Sequence, residues 1–300
     1  MIKQEYLNQV NLLVEVLPYI AREKCFALKG GTAINMFYQN LPRLSVDIDL
    51  TYVEFYPRTE AYKNIDDALD RINKNLNSVG YKSFIRGKAE KKILCSNEKS
   101  IIKIEPNYNA RGCITQPQEL SICSRAEDLF GYVDCNVLSE AETYGGKISA
   151  ALNRQHPRDL FDIYQLFEQN KLKDKIIQGF VVMLLSAPRP IYELLNPNIL
   201  DQENVFASEF LGMTDIKFTY KKHIETLKQL IDYIQHKIKT DYKDFLLDFV
   251  SLNINLRNVD IPNFDKLSAI KWKIQNLEKL KSINPDKFAK EYQELKKILD

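Results

Sequence analysis

The sequence predicts an α+β protein: a mixed sheet with helices in a first lobe, residues 1–138, followed by a helical lobe over 139–300. Three observations predict it. Short runs rich in Ile, Val, Phe and Tyr, bounded by Gly, Pro and Asn, crowd the first half, as strands do. From about Ser139 onward almost every segment has helical period. At 300 residues, 45% hydrophobic and 27% charged, the chain is long enough for one large or two ordinary domains and too apolar to stay disordered.

In chain order, residues 4–23 carry Leu7, Val10, Leu13, Val14, Leu17 and Ile20 at helical spacing. A short apolar stretch, Cys25 to Gly31, leads into a helix-like segment over 32–40. Apolar and acidic residues then interleave over 46–55, and a helix is expected over 59–79. Residues 81–87, 91–96 and 100–106 read as three strands, and 118–124 and 132–138 as two shorter ones. The helical lobe divides into segments at 140–153, 157–170, 172–186, 217–239, 242–252, 269–281 and 285–299. Asn196-Pro197-Asn198 and Asp260-Ile261-Pro262 are its clearest breaks.

Charge and cysteine usage narrow the class. Forty-two Lys and Arg against 40 Asp and Glu leave a net charge of +2, so any nucleic-acid contact must come from a local patch. Five cysteines without a CxxC pair fit reduced thiols rather than a disulfide framework or a zinc ribbon. The start is polar, unlike a secretory signal, and the longest apolar run, Phe180 to Leu185, is far short of a membrane span. Three histidines leave little for a multi-histidine metal site. The expectation is a cytoplasmic protein with no membrane partner.

Four sequence features carry chemistry. Lys29-Gly30-Gly31-Thr32 enters a helix, and the two glycines let backbone and free helix N–H groups approach a phosphate. Gly-Gly-Thr is equally an ordinary strand-to-helix turn with Thr32 as N-cap. Asp47 and Asp49 follow at i and i+2 in a strand-like run, which puts both carboxylates on one face. Side by side they repel unless a divalent cation lies between them, and hard oxygens suit Mg²⁺ (or Mn²⁺). Glu105, near the end of another strand, supplies a third carboxylate, and three acids on neighbouring strands can hold two metal ions. Downstream, Lys147 and Arg154 share a helix face, and Pro157 starts a new helix with Arg158 and Asp159 at its head. These cations would neutralise a triphosphate across a cleft, with Asp159 holding one in place; a solvated, salt-bridged helix face is the plainer alternative.

The order G-G-T, R-x-S-x-D-x-D, a strand-borne acid and K-x6-R-x3-R-D-x2-D resembles the AbiEii/AbiGii-type toxin nucleotidyltransferases, of the DNA polymerase β-like nucleotidyltransferase superfamily, over about residues 25–170. The resemblance implies a nucleotidyltransferase fold. It assigns Gly31 and Thr32 to the triphosphate, Asp47 and Asp49 to metal, and Ser45 to the hydroxyl just ahead of them. Lys147 and Asp159 match the downstream pair needed for nucleotide binding and transfer, and Arg154 and Arg158 fall at the family's basic positions. Gly145-Gly146 depart from it, standing where an acidic residue and a helix former are expected. Two glycines cost roughly 1 kcal/mol each relative to Ala in a helix, which leaves open where the Lys147 helix begins.

The resemblance further implies a toxin of a toxin–antitoxin or abortive-infection module. Such a toxin would take an NTP, release pyrophosphate, and in some members modify the 3′ end of tRNA; a cognate antitoxin is its natural partner. For an RNA acceptor there is local support in Arg86, Lys88, Lys91, Lys92, Lys99 and Lys103 around two strands, with Tyr81, Phe84 and Tyr108 as stacking faces. Solvated lysines on sheet edges explain the same residues. Two other functions stay open: transfer to a small-molecule or protein hydroxyl, and a non-catalytic module that binds nucleotide or RNA.

Overall fold

Seven strands make one sheet in the computed structural model, which describes residues 2–256 and 259–300. They are β1 (Phe26–Lys29), β2 (Asp47–Tyr52), β3 (Lys82–Arg86), β4 (Lys92–Ser96), β5 (Ile101–Asn107), β6 (Gln118–Ser121) and β7 (Asp134–Val137), in the spatial order β3-β4-β5-β2-β1-β7-β6. β2 pairs parallel with β5 and antiparallel with β1, and β1 pairs parallel with β7, so the sheet is mixed. This is an α+β fold.

Alternation decides which face is covered. Ile48, Leu50 and Tyr52 of β2, Ile93 and Cys95 of β4, and Ile102 and Ile104 of β5 are buried in one core. Against them pack α1 (Gln4–Ile20), which contacts β5 and β7, and α3 (Arg58–Ser78), which contacts β3 and β4. The apolar stripe of α3, Ala61, Ile65, Ala68, Leu69, Ile72 and Leu76, keeps helical spacing. Each buried Leu or Ile contributes about 1.5–3 kcal/mol, so a one-residue slip of any strand would lose several such terms. Period two then sends Asp47, Asp49, Lys103 and Glu105 to the opposite face.

The chain forms two units. The first holds the sheet, running through Thr143 and taking back Phe210–Lys217; the second is Tyr144–Glu209 with Phe218–Asp300. In the first unit the returning segment is tied by Lys3 N–H to the Gly212 carbonyl (3.0 Å), Leu44 N–H to Met213 (2.8 Å) and the Thr214 hydroxyl to Pro42 (2.7 Å). Single backbone bonds of this kind leave no periodic trace in sequence. Two short elements complete this unit: α2 (Gly30–Ala33), which runs on as a π-helical turn over Ile34–Tyr38, and α4 (Ser124–Phe130). The strand expected over 118–124 is shorter, β6 stopping at Ser121.

The division falls inside α5 (Glu140–Arg154). The second unit is helical: α6 (Pro157–Glu168), α7 (Asp174–Leu185), α8 (Ile191–Leu195), α9 (Glu203–Glu209), α10 (Tyr220–Asp241), α11 (Lys243–Ser251), α12 (Ser268–Ile283) and α13 (Pro285–Leu299). Of these, α8 and α9 are too short to show a period and have no counterpart among the expected segments. Among the described residues no helix is long and apolar enough to cross a membrane. All five cysteines are free thiols.

The glycine pair in α5 does not mark its start. Ser139 caps the start of α5: the Glu142 N–H donates to Ser139 Oγ (3.3 Å), and the Ser139 hydroxyl donates to the Glu142 carboxylate (2.8 Å). Gly145 is needed for packing, because a Cβ there would lie 2.4 Å from the Gly179 carbonyl carbon of α7. Around Gly146 a Cβ would meet nothing within 4 Å. Neighbouring alanine substitutions should therefore differ in sign. Gly145→Ala is expected to destabilise by about 1–3 kcal/mol through overpacking, and Gly146→Ala to stabilise by up to about 1 kcal/mol. Urea unfolding of the two variants checks this; equal shifts would remove the helix contact as the cause.

Candidate active site

In the sheet unit, pairing register assembles a row of charged side chains across three strands. Lys29 of β1 lies opposite Asp49 of β2, and Asp49 opposite Glu105 of β5. One pleat along, Asp47 lies opposite Lys103. Asp47, Asp49 and Glu105 thus share one face; the i, i+2 spacing predicts this for the two aspartates, and the pairing of β2 with β5 adds Glu105. Burial pushes the Lys29 ammonium below its usual range, and the Asp49 charge beside it pulls the other way.

The glycines fit under this row. Gly30 has φ +72°, and a Cβ on it would lie 2.4 Å from Asp49 Oδ2, so only glycine allows the carboxylate to rest on the turn. A Cβ on Gly31 would lie 2.8 Å from both Arg43 Nη2 and Ser45 Oγ. The helix starts at Gly30 itself with no side-chain cap on its N–H groups, so Thr32 is not the N-cap. The buried Thr32 hydroxyl donates to the Asp47 carbonyl (2.6 Å) and lies 3.1 Å from Ser45 Oγ. Thr32 and Ser45 therefore act at least on the strand, fixing where β2 begins relative to the glycine turn.

The donor set suits a hard cation. Asp47 and Asp49 offer carboxylate oxygens on one strand face, and Mg²⁺ is commonly held by one or two carboxylates completed by substrate phosphates and water. Glu105 is differently placed from a simple third ligand, because its carboxylate accepts from Lys92 Nζ at 2.8 Å. Among the described residues no three His, Cys, Asp or Glu side chains converge as a metal-binding set. Two carboxylates alone leave the remaining coordination positions of such an ion to other ligands.

In the helical unit a second cluster forms around Asp159. Lys147 Nζ contacts Asp159 Oδ1 at 2.8 Å and Asp162 Oδ2 at 3.0 Å, and all three side chains are buried. Arg154 closes on Asp159 with a fork, Nε to Oδ2 at 2.7 Å and Nη2 to Oδ1 at 3.1 Å. Burial alone would raise the Asp159 carboxyl, but Lys147 and Arg154 overcome it and hold it well below the usual carboxylate range. Arg158 points elsewhere, 3.5 Å from Glu209, which also lies 3.1 Å from His156 Nε2. The His156 ring accepts the Arg158 N–H and caps α6, with Pro157 at its first position.

Two residues in these clusters are not among the site residues expected from the sequence. Lys29 is drawn in by strand pairing, and Asp162 by its i+3 spacing from Asp159 on one helix face. The basic stretch also sorts itself. Phe84, Arg86 and Lys103 face the open side, whereas Lys91 pairs with Asp66 of α3 at 2.8 Å. Tyr108 is not a stacking face: it is buried, with its hydroxyl donating to Asp66 at 2.7 Å. The Tyr81 hydroxyl donates to Glu15.

The chain is similar in fold to the nucleotidyltransferase toxin MenT4 (Rv2826c) from Mycobacterium tuberculosis H37Rv, with a TM-score of 0.59 at 12% identity over 93% of this chain and 94% of that one. No curated protein matches the chain. The family model described as nucleotidyl transferase AbiEii toxin, type IV toxin–antitoxin system, matches residues 11–270, a span that takes in the glycine turn, the carboxylate row and the Lys147 cluster. On that match the chain belongs to the AbiEii family of nucleotidyltransferase toxins.

Proposed function

We propose that the chain transfers an NMP from an NTP to the 3′-hydroxyl of an RNA, a tRNA in the first instance, in a divalent-metal-dependent reaction held in check by a cognate antitoxin. The observation that carries this reading is the Asp47–Asp49 pair on an open sheet face, with Asp49 seated on the Gly30 turn. Mg²⁺ or Mn²⁺ held by that pair and the nucleotide phosphates supplies activation of the acceptor hydroxyl and neutralises charge on the leaving pyrophosphate. Gly30 and Gly31 present backbone N–H groups to phosphate oxygens. Glu105 stands next in the row, tied to Lys92, and serves as a carboxylate for the acceptor proton. Lys147, with Arg154 and Asp159 around it, binds the triphosphate, and Arg158 adds positive charge at the head of α6.

In the transfer the acceptor oxygen bonds to the α-phosphorus, the bond to the bridging oxygen breaks, and pyrophosphate leaves. Incubating the protein with each α-labelled NTP, total RNA and Mg²⁺ tests this. Label on RNA 3′ ends with pyrophosphate released is expected. Label on protein or on a small molecule instead would replace the RNA acceptor, and label on nothing with any NTP would remove transfer.

A further inference from the structure

The face that carries Asp47 continues across three more strands, and its side chains change character on the way. In register the row runs Asp47, Lys103, Leu94, Phe84, from β2 over β5 and β4 to β3. Phe84 is 45% exposed, and Ile101 on the same face of β5 is 60% exposed. Half-buried Leu94 lies between Phe84 and Lys103 in that row, so the exposed ring is joined to the charged residues by an apolar step. The Arg86 guanidinium lies 5.0 Å from the Phe84 ring centre, and Lys82 and Lys103 stand exposed beside the apolar strip. Glu105 is the single carboxylate in β3, β4 and β5, and Lys92 already neutralises it.

Resting on the reading of an RNA acceptor, we infer that this open face of β5, β4 and β3 is the track along which the single-stranded 3′ end of the acceptor lies, with Phe84 stacking one of its bases. Charge complementarity selects the occupant. Lys82, Arg86 and Lys103 face outward with no unneutralised acid among them on these strands, which suits a polyanion. An aromatic ring with an adjacent guanidinium is a sequence-tolerant stacking platform. The track is continuous with the reaction site, since its first residue is Asp47 itself. Three strand spacings separate Asp47 from Phe84, about 14 Å, which places the stacked base within roughly four nucleotides of the reacting end. The turns at either end carry Lys88, Lys91 and Lys99 together with Glu90 and Glu98, and Lys91 pairs with Asp66, so they add little net charge.

The test uses the full chain and a 5′-labelled single-stranded RNA of about twelve nucleotides. Phe84→Leu should weaken binding roughly 5- to 100-fold, and Phe84→Trp should restore it, because stacking and not bulk is what is lost. The triple variant Lys82→Gln, Arg86→Gln, Lys103→Gln should flatten the slope of log affinity against log salt by about 2, at roughly 0.7 per phosphate contact. NTP affinity and melting temperature should match wild type in the Phe84 variants, since that side chain is exposed and lies outside the glycine turn, the carboxylate row and the Lys147 cluster. With 2-aminopurine placed in turn at each of the last five positions, quenching should peak at one position in wild type and vanish in Phe84→Leu. RNA bound and extended by wild type, with unchanged affinity and salt slope in the variants, would overturn the track alone and leave the face to a protein partner. No RNA binding by wild type, with label transferred to another acceptor, would overturn the acceptor reading and the track with it.

Discussion

Asp47→Ala and Asp49→Ala are each expected to reduce nucleotidyl transfer by roughly 10³-fold or more, yet to move metal-free stability in opposite directions. The loss of transfer follows from removing one of two carboxylates that stabilise charge in the reaction. The stability difference follows from register. Asp47 pairs across to Lys103, an exposed lysine, and stands on one strand face with Asp49, so its removal relieves repulsion from Asp49. Asp49 lies beside Lys29, whose ammonium is already disfavoured by burial and is supported by that carboxylate. Its removal should lower the melting temperature. Added Mn²⁺ with NTP should stabilise wild type, and should fail to stabilise either variant. Labelled-NTP transfer and thermal melts with and without Mn²⁺ check both halves. Wild-type transfer in either variant would end the metal assignment, and equal melting shifts would end the Lys29 argument.

Lys147→Ala should weaken NTP binding and also cost about 3–5 kcal/mol of stability, because it leaves Asp159 and Asp162 buried without the ammonium they share. Lys147→Arg should not restore either property, since a planar fork does not fit a point-charge position between two carboxylates. Asp159→Asn separates the contributions through pH. The Asp159 carboxyl is held below its unfolded value, so its stabilising contribution is full above about pH 4 and is lost as pH falls towards its folded pKa. The variant should be less stable than wild type at neutral pH, and the gap should close in acid. Urea unfolding between neutral pH and acid, with NTP titration of each variant, decides the matter. A Lys147→Ala protein as stable as wild type would return the lysine to a solvated helix face.

Much of this was legible in the chain. Strand alternation alone put Asp47 and Asp49 on one face, and the helical spacing of Lys147 and Arg154 put them on another. The limits of α6 and α13 follow from Pro157 and Pro285, each at a first helical position after a capping side chain. Other features had no local signal. Nothing in the run 100–106 announces that Glu105 meets Lys92, because that contact depends on which strands become neighbours. Tyr108 reads like an exposed aromatic, but α3 covers it and Asp66 takes its hydroxyl. The Gly145-Gly146 pair looks like a weak point in a helix until Gly179 of α7 is placed against its first member.

The division has a physical reason. Properties with a period of two or 3.6 residues, and caps that act within one turn, are set by nearest neighbours along the chain, so the sequence by itself determined the fold class, the helical lobe and the chemistry-bearing faces. Properties that depend on approach between distant segments belong to the packed chain. Among them are the row Lys29, Asp49, Glu105, the return of Phe210–Lys217 to the sheet unit, the shared ammonium between Asp159 and Asp162, and the sorting of Lys91 away from Arg86 and Lys103. Only tertiary structure decided those, because register and close packing select one partner among many that the local sequence allows equally.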